Sequence, residues 1–111
     1  MDNLLNEIRE FIQRRDWEQF HTPKNLAMAL STEVAEILEI FQWKQPEEPL
    51  NDAEREALKQ EIGDTLIYLL ELADQFEIDI LEVAREKLKL NDKKYPAEIV
   101  RGKADKYTKY K

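Results

Sequence analysis

Two pairs of acidic residues lie inside segments that otherwise have the apolar pattern of buried helices. Glu33 and Glu36 belong to LSTEVAEILEIFQW, and Glu61 and Asp64 belong to EIGDTLIYLLELAD. Residues three apart on a helix project toward the same face, so each pair presents two carboxylates side by side. Burying carboxylates without a counter-charge is costly, because each ion loses its hydration. The two pairs therefore need a cation.

A divalent metal ion would supply that charge. Mg²⁺ prefers oxygen ligands, and proteins usually bind it through carboxylates together with substrate phosphates. We therefore predict Glu33, Glu36, Glu61 and Asp64 as ligands of Mg²⁺, with Mn²⁺ as a substitute. Glycine at position 63 costs a helix roughly 1 kcal/mol relative to alanine. Close approach of another backbone or of a ligand, or helix packing, would explain why a glycine stands there. The opposing interpretation is a solvated acidic face, which is common for Glu-x-x-Glu spacing on exposed helices.

Composition excludes most other chemistries. The 111 residues include no cysteine, one histidine (His21) and one serine (Ser31). The chain therefore has almost none of the residues that thiolate catalysis, a His/Cys zinc site or a Ser-His-Asp triad requires. The glycine-rich phosphate loops GxxxxGK[ST] and GxGxxG are absent as well. Glycoside hydrolysis by two carboxylates stays open, but it would leave the basic C-terminal residues without a role.

The charge is divided unevenly along the chain, which has a net charge of −7. Residues 1–84 contain 7 Lys/Arg and 20 Asp/Glu, whereas residues 85–111 contain 10 and 4. A nucleic-acid-binding face is usually basic throughout, so we expect no nucleic-acid partner but a smaller anion held by a few lysines. No apolar run approaches the roughly 20 residues of a membrane span, which predicts a cytoplasmic protein without a membrane partner.

Helical periodicity recurs four times and period-2 alternation is absent, which predicts one all-α domain over residues 1–111, a four-helix bundle. Thr22, with Pro23 behind it, is the expected cap of the second helix. Asn51 or Asp52 is expected to begin the third, and Asp79 the fourth. The predicted helices span about 2–15, 23–43, 52–76 and 80–90, and an irregular basic tail follows.

The acidic pairs and several longer stretches resemble a known family. Glu-x-x-Glu followed by Glu-x-x-Asp on two helices of an all-α bundle is similar to the MazG-like nucleotide pyrophosphohydrolases. RDWEQFHTPKNL, EIFQWK, GDTLIYLL, NDKKYP and RGKADKYT resemble the dCTP pyrophosphatase branch and cover most of the chain. The resemblance implies Mg²⁺-dependent hydrolysis of a nucleoside triphosphate to the monophosphate and pyrophosphate, by a homotetramer that is a dimer of dimers. Such an enzyme controls or sanitises the nucleotide pool.

The same resemblance assigns roles to individual residues. It places the family's metal ligands on the four acids, and base-lining tryptophans on Trp17 and Trp43. The other substrate-binding positions that it implies are His21, Asn25, Tyr68, Asn91 and Tyr95, with Lys87 and Lys94 as catalytic lysines. One departure concerns the base: animal members have a histidine where this chain has Ile8. The preferred base is therefore left open among dCTP, a modified dCTP, dUTP and dATP.

The spacing of these residues allows the implied chemistry. Lys87, Asn91 and Lys94 follow one edge of a helix, where cations and an amide can bind phosphate oxygens. We expect water to attack the α-phosphorus in line, with Glu36 as general base and the two lysines stabilising the leaving pyrophosphate.

The aromatic residues and His21 also have purely structural interpretations. Tyr68 can be a packed tyrosine, both tryptophans can be core or interface residues, and His21 can be structural. A non-catalytic helical interaction module, with no Mg²⁺ binding, is the alternative function.

Subunit association is a testable expectation, because the segment from Ile62 to Leu72 is apolar on nearly all sides. Three short neighbouring helices cannot cover that much apolar surface, so we expect a tetramer, or failing that a dimer. Light scattering at micromolar concentration should give a multiple of the 13.2 kDa chain mass. A particle of 13.2 kDa would contradict this expectation.

Overall fold

The computed structural model describes residues 2–103, and these residues form helices and no strand, which confirms the all-α class. The helices are α1 (Asp2–Arg14), α2 (Pro23–Phe41), α3 (Asp52–Gln75), α4 (Ile80–Lys94) and α5 (Ala97–Val100). They divide into two compact units: the first contains α1 to α3, and the second begins at Ile78 and contains α4 and α5. None of the described helices combines the length and apolar character that crossing a membrane requires. Assignment of the whole chain to one domain stays a prediction.

The three longest helices begin at residues that the sequence indicated. The Thr22 hydroxyl caps α2, with proline in its first turn. Asn51 caps α3 through a capping box, because its side chain accepts from the backbone of Glu54 and the Glu54 carboxylate accepts from Asn51. The Asp79 carboxylate accepts two backbone N–H bonds at the start of α4. Each cap satisfies N–H groups that have no partner inside the helix.

The described residues form five helices rather than the predicted four. α4 continues to Lys94 instead of ending near Leu90, since no proline or glycine interrupts it and two lysines favour its negative C-terminal end. Pro96 cannot extend α4 and instead stands at the N-cap of α5. The short α5 therefore occupies part of the predicted irregular tail. The rest of that tail, from residue 104, lies outside the described residues.

Contacts at the two ends of α2 show how this helix is oriented relative to α3. His21, just before α2, contacts Glu71 near the end of α3. Lys44, just after α2, contacts Glu54 in the first turn of α3, with its Nζ 2.9 Å from the carboxylate oxygen. The two helices are therefore antiparallel, and their middle turns lie side by side. These middle turns carry the acidic pairs.

The hydrophobic core of the described residues is small. The buried apolar side chains are those of Ile8, Leu26, Leu70 and Ala73. Meanwhile α2 leaves Met28, Val34 and Leu38 at least half exposed. These residues support the expectation of subunit association, but the oligomeric state itself stays a prediction.

An ion pair joins α1 to α3. Arg9 Nε donates to Asp74 Oδ2 at 2.8 Å, and a second guanidinium nitrogen donates to Oδ1. These hydrogen bonds hold the pKa of Asp74 below its usual value. Ile8, the neighbour of Arg9, is buried. The forked ion pair thus links α1 to the end of α3.

Replacing Asp74 by Asn should destabilise the protein by about 1 kcal/mol near neutral pH, because a forked but partly exposed ion pair is lost. The folded-state pKa of Asp74 lies below the unfolded value, so this stabilisation is present above the unfolded pKa and disappears as the pH falls through the folded one. Denaturant unfolding at about pH 7 and about pH 3 measures the difference.

Glu10→Gln is the control for this comparison, since Glu10 forms an exposed pair with Arg14 within α1. It should cost no more than about 0.5 kcal/mol. An equal cost of Asp74→Asn at both pH values would contradict the role of the ion pair.

Candidate functional site

The antiparallel packing of α2 and α3 brings the acidic pairs together. Carboxylate oxygens of Glu33, Glu61 and Asp64 lie within 4.8 Å of one another. Glu36 is the fourth member, because its carboxyl group interacts with those of Glu61 and Glu33. We call these four residues the acid cluster.

The carboxylates of the acid cluster perturb one another. Interaction with Glu61 raises the pKa of Glu36, and interaction with Glu33 raises the pKa of Glu61. Glu33 Oε2 and Glu61 Oε2 are buried without a hydrogen-bond partner among the described residues. Buried anionic oxygens without donors are rare, since they lose hydration and gain nothing in return. Hard oxygens at this spacing fit a divalent cation such as Mg²⁺.

A cavity of about 410 Å³ adjoins the acid cluster at Asp64. Its wall includes Trp17 and His21 from the loop between α1 and α2, and Tyr68 and Glu71 from α3. The Trp17 and His21 rings are stacked, with centroids 5.8 Å apart and an interplanar angle of 30°. The volume and the aromatic wall are typical of a small-molecule site. We call this space the tryptophan cavity.

Tyr68 stands one helical turn after Asp64 on α3. Burial raises the pKa of its phenol, and the negative charges of Glu33, Glu71 and Asp64 raise it further. The phenol is therefore protonated at neutral pH and can donate a hydrogen bond toward an anion.

Two residues that the resemblance assigned to the substrate lie elsewhere. The side chain of Trp43 is 87% exposed in the turn after α2, and it does not border the tryptophan cavity. Asn25 does not border it either, because its side-chain amide donates to the carbonyl of Phe20 at 2.9 Å and closes the loop before α2. Substrate contact by Trp43 and Asn25 stays a prediction.

The remaining predicted residues belong to the second unit. Lys87 and Asn91 lie on α4, Lys94 is its last residue, and Tyr95 is its C-cap. Spacings of four and three residues place Lys87, Asn91 and Lys94 on one side of the helix. Their role toward phosphate, and that of Tyr95, stays a prediction.

The surroundings of Gly63 differ from those expected. A Cβ atom at this position would meet no heavy atom of the described chain within 4 Å. The expected close approach is therefore not made by the described residues, and packing between their helices does not explain the glycine.

Glu71 was missed by the reasoning from sequence. It is the one buried charged residue that the structure describes, with 6% of its surface exposed. Its Oε1 lies 2.6 Å from His21 Nδ1. Its spacing in the sequence could have indicated it, because a residue seven positions beyond Asp64 lies on the same face of the helix.

Comparisons with known proteins show the family to which the chain belongs. The MazG-like family model matches residues 28–109. The chain is 48% identical over 112 residues to dCTP pyrophosphatase 1 of Bos taurus and 44% identical to that of Homo sapiens. Both matches cover 94% of this chain, which spans 66% of the length of either relative.

Structural similarity extends to an archaeal protein. A crystal structure of a pyrophosphatase from Archaeoglobus fulgidus aligns with a TM-score of 0.74 and 46% identity. The alignment covers 86% of this chain and 92% of the archaeal one. With a family model matching most of its length and a relative 48% identical over 94% of the chain, the chain belongs to the MazG-like family.

Proposed function

We propose that this chain hydrolyses a nucleoside triphosphate to the monophosphate and pyrophosphate. The observation that carries the proposal is the acid cluster, which shares Asp64 with a cavity that has an indole in its wall. The names of the relatives, dCTP pyrophosphatase 1 and a pyrophosphatase, support the same reaction. A non-catalytic interaction module would have no need for buried carboxylate oxygens without donors.

The acid cluster is proposed to hold Mg²⁺, with Mn²⁺ as a substitute. Glu33, Glu61 and Asp64 would provide the ligand oxygens, and Glu36 adjoins them. A bound Mg²⁺ neutralises phosphate charge and makes water more acidic. The cation also accounts for how an acidic protein binds a polyanion.

The chain's own residues have distinct tasks in this reaction. The oxygen of water attacks the α-phosphorus, and the bond to the leaving pyrophosphate breaks. Glu36 is the proposed general base, because its carboxyl group adjoins the three proposed metal ligands and can accept a proton from a water held there. Tyr68 can donate a hydrogen bond to a phosphate oxygen, and Lys87 and Lys94 are proposed to stabilise the leaving group.

The substrate is proposed to be dCTP or a modified dCTP, because two of the relatives are named dCTP pyrophosphatase 1. Trp17 would stack against the base, an interaction worth about 1 to 3 kcal/mol per base. The same reaction on dUTP or dATP is the alternative. Pyrophosphate release from a panel of canonical and modified deoxynucleoside triphosphates, with Mg²⁺, distinguishes them.

Replacing Glu61 by Gln and Asp64 by Asn together should separate the metal site from an ordinary acidic surface. The exchange keeps side-chain size but removes two charges, so pyrophosphate release should fall by several orders of magnitude. The melting temperature of the metal-free protein should stay level or rise, because repulsion within the acid cluster decreases. Pyrophosphate release and thermal unfolding without metal are the two measurements.

The matched control is Glu56→Gln, since Glu56 is an exposed acid of α3 that pairs with Lys59. This variant should keep its activity and change stability by no more than about 0.5 kcal/mol. A double variant with preserved turnover and a lower melting temperature would refute the metal site.

A further inference from the structure

We propose that Glu71 selects the base of the substrate, by accepting a hydrogen bond from an exocyclic amino group. Among pyrimidines, Glu71 then favours cytosine over uracil or thymine. This inference rests on the proposed function of the same site. It adds a specificity-determining residue that none of the predicted roles includes.

The position of Glu71 relative to the acid cluster matches the length of a nucleotide. Glu71 and Asp64 border the same cavity and lie seven residues apart on α3. Seven helical residues span about 10 Å along the axis, comparable with the distance from the α-phosphorus to the far edge of a base. With the phosphates at Asp64, the amino-bearing edge of the base lies near Glu71.

The carboxylate of Glu71 is held in place and keeps capacity to accept hydrogen bonds. His21 Nδ1 lies 2.6 Å from Oε1, and the His21 ring stacks on Trp17. A carboxylate offers about four acceptor sites on its two oxygens, so a single contact leaves most of them. The stacking surface and the acceptor are thereby fixed relative to each other. Trp17 and Glu71 border the same cavity, so a base bound there can contact both.

The other side chains of the cavity wall do not offer the same discrimination. Ile8 is buried and has no polar group, and Glu7 is exposed. Asp64 belongs to the acid cluster at the opposite end, and Tyr68 lies between Asp64 and Glu71 on α3. Glu71 is thus the buried acceptor at the base end of the tryptophan cavity.

The chemistry of the two pyrimidines then decides the preference. Carboxylates accept hydrogen bonds from the cytosine amino group, as they do in nucleic-acid recognition. Uracil has a carbonyl oxygen at that position, which donates nothing and repels the carboxylate. A buried acceptor left unpaired by the wrong substrate produces strong rejection of that substrate.

The test compares kcat/KM for pyrophosphate release from dCTP and dUTP, with Mg²⁺, in the unmodified protein and in Glu71→Gln. We expect the unmodified protein to prefer dCTP, and the variant to lose about 10- to 100-fold of that preference, because an amide can donate as well as accept. Asp74→Asn is the control: Asp74 lies one turn further along α3 and does not border the tryptophan cavity, although it shares a second cavity with Glu71 and His21. This control should keep the preference.

A substrate change tests the same contact without altering the protein. A triphosphate carrying 2-pyrimidinone lacks the amino group but keeps the rest of the cytosine ring. The unmodified protein should use it about 10- to 100-fold less well than dCTP. This comparison decides the question if circular dichroism shows that Glu71→Gln does not fold.

Three results would overturn the inference. One is an unchanged dCTP preference in Glu71→Gln with lower stability, which would mean that Glu71 only supports His21. The second is a preference of the unmodified protein for dUTP, and the third is equal use of dCTP and the pyrimidinone analogue. In each of these results pyrophosphate release continues and the proposed function stands. Release from no nucleotide at all would instead refute the proposed function, and the inference with it.

Discussion

Electrostatic repulsion among the four carboxylates where α2 meets α3 is the constraint on which the other features of the first unit depend. Apolar residues at these positions would let two such helices pack more stably, since carboxylates brought close together repel one another. The raised pKa values of Glu36 and Glu61, and two buried oxygens without donors, are the direct consequences. A divalent cation would turn this repulsion into attraction.

The ends of the helix pair hold its middle in place. Lys44 and Glu54 form an ion pair at one end, and His21 and Glu71 interact at the other. Between these contacts the acidic pairs face each other regardless of their repulsion. The fold therefore fixes the acid cluster before any ion binds, and preformed ligands need little rearrangement to bind a metal.

Along α3 the site changes from acidic to aromatic. Asp64, Tyr68 and Glu71 recur at spacings of four and three, so they follow one face of the helix from the acid cluster into the tryptophan cavity. A single rigid helix can therefore set the distance between phosphate chemistry and base recognition. The loop between α1 and α2 adds Trp17 and His21 to this helix face.

Local features of this structure and the meeting of the two acidic pairs were predictable from sequence, whereas the contact of Glu71 with His21 was not. The caps Thr22, Asn51 and Asp79 follow from hydrogen bonds within one turn, and the acidic pairs follow from helical spacing. Glu71 escaped notice because its partner His21 lies 50 residues away. The short α5 also escaped, because four residues carry too little periodicity to indicate a helix.

Anomalous X-ray scattering from crystals soaked in Mn²⁺ tests most directly whether the acid cluster binds a divalent cation. We expect one strong anomalous peak at a bonding distance of roughly 2.1 Å from oxygens of Glu33, Glu61 and Asp64. An intact acid cluster without a peak at saturating Mn²⁺, or with peaks only elsewhere on the protein, would contradict it.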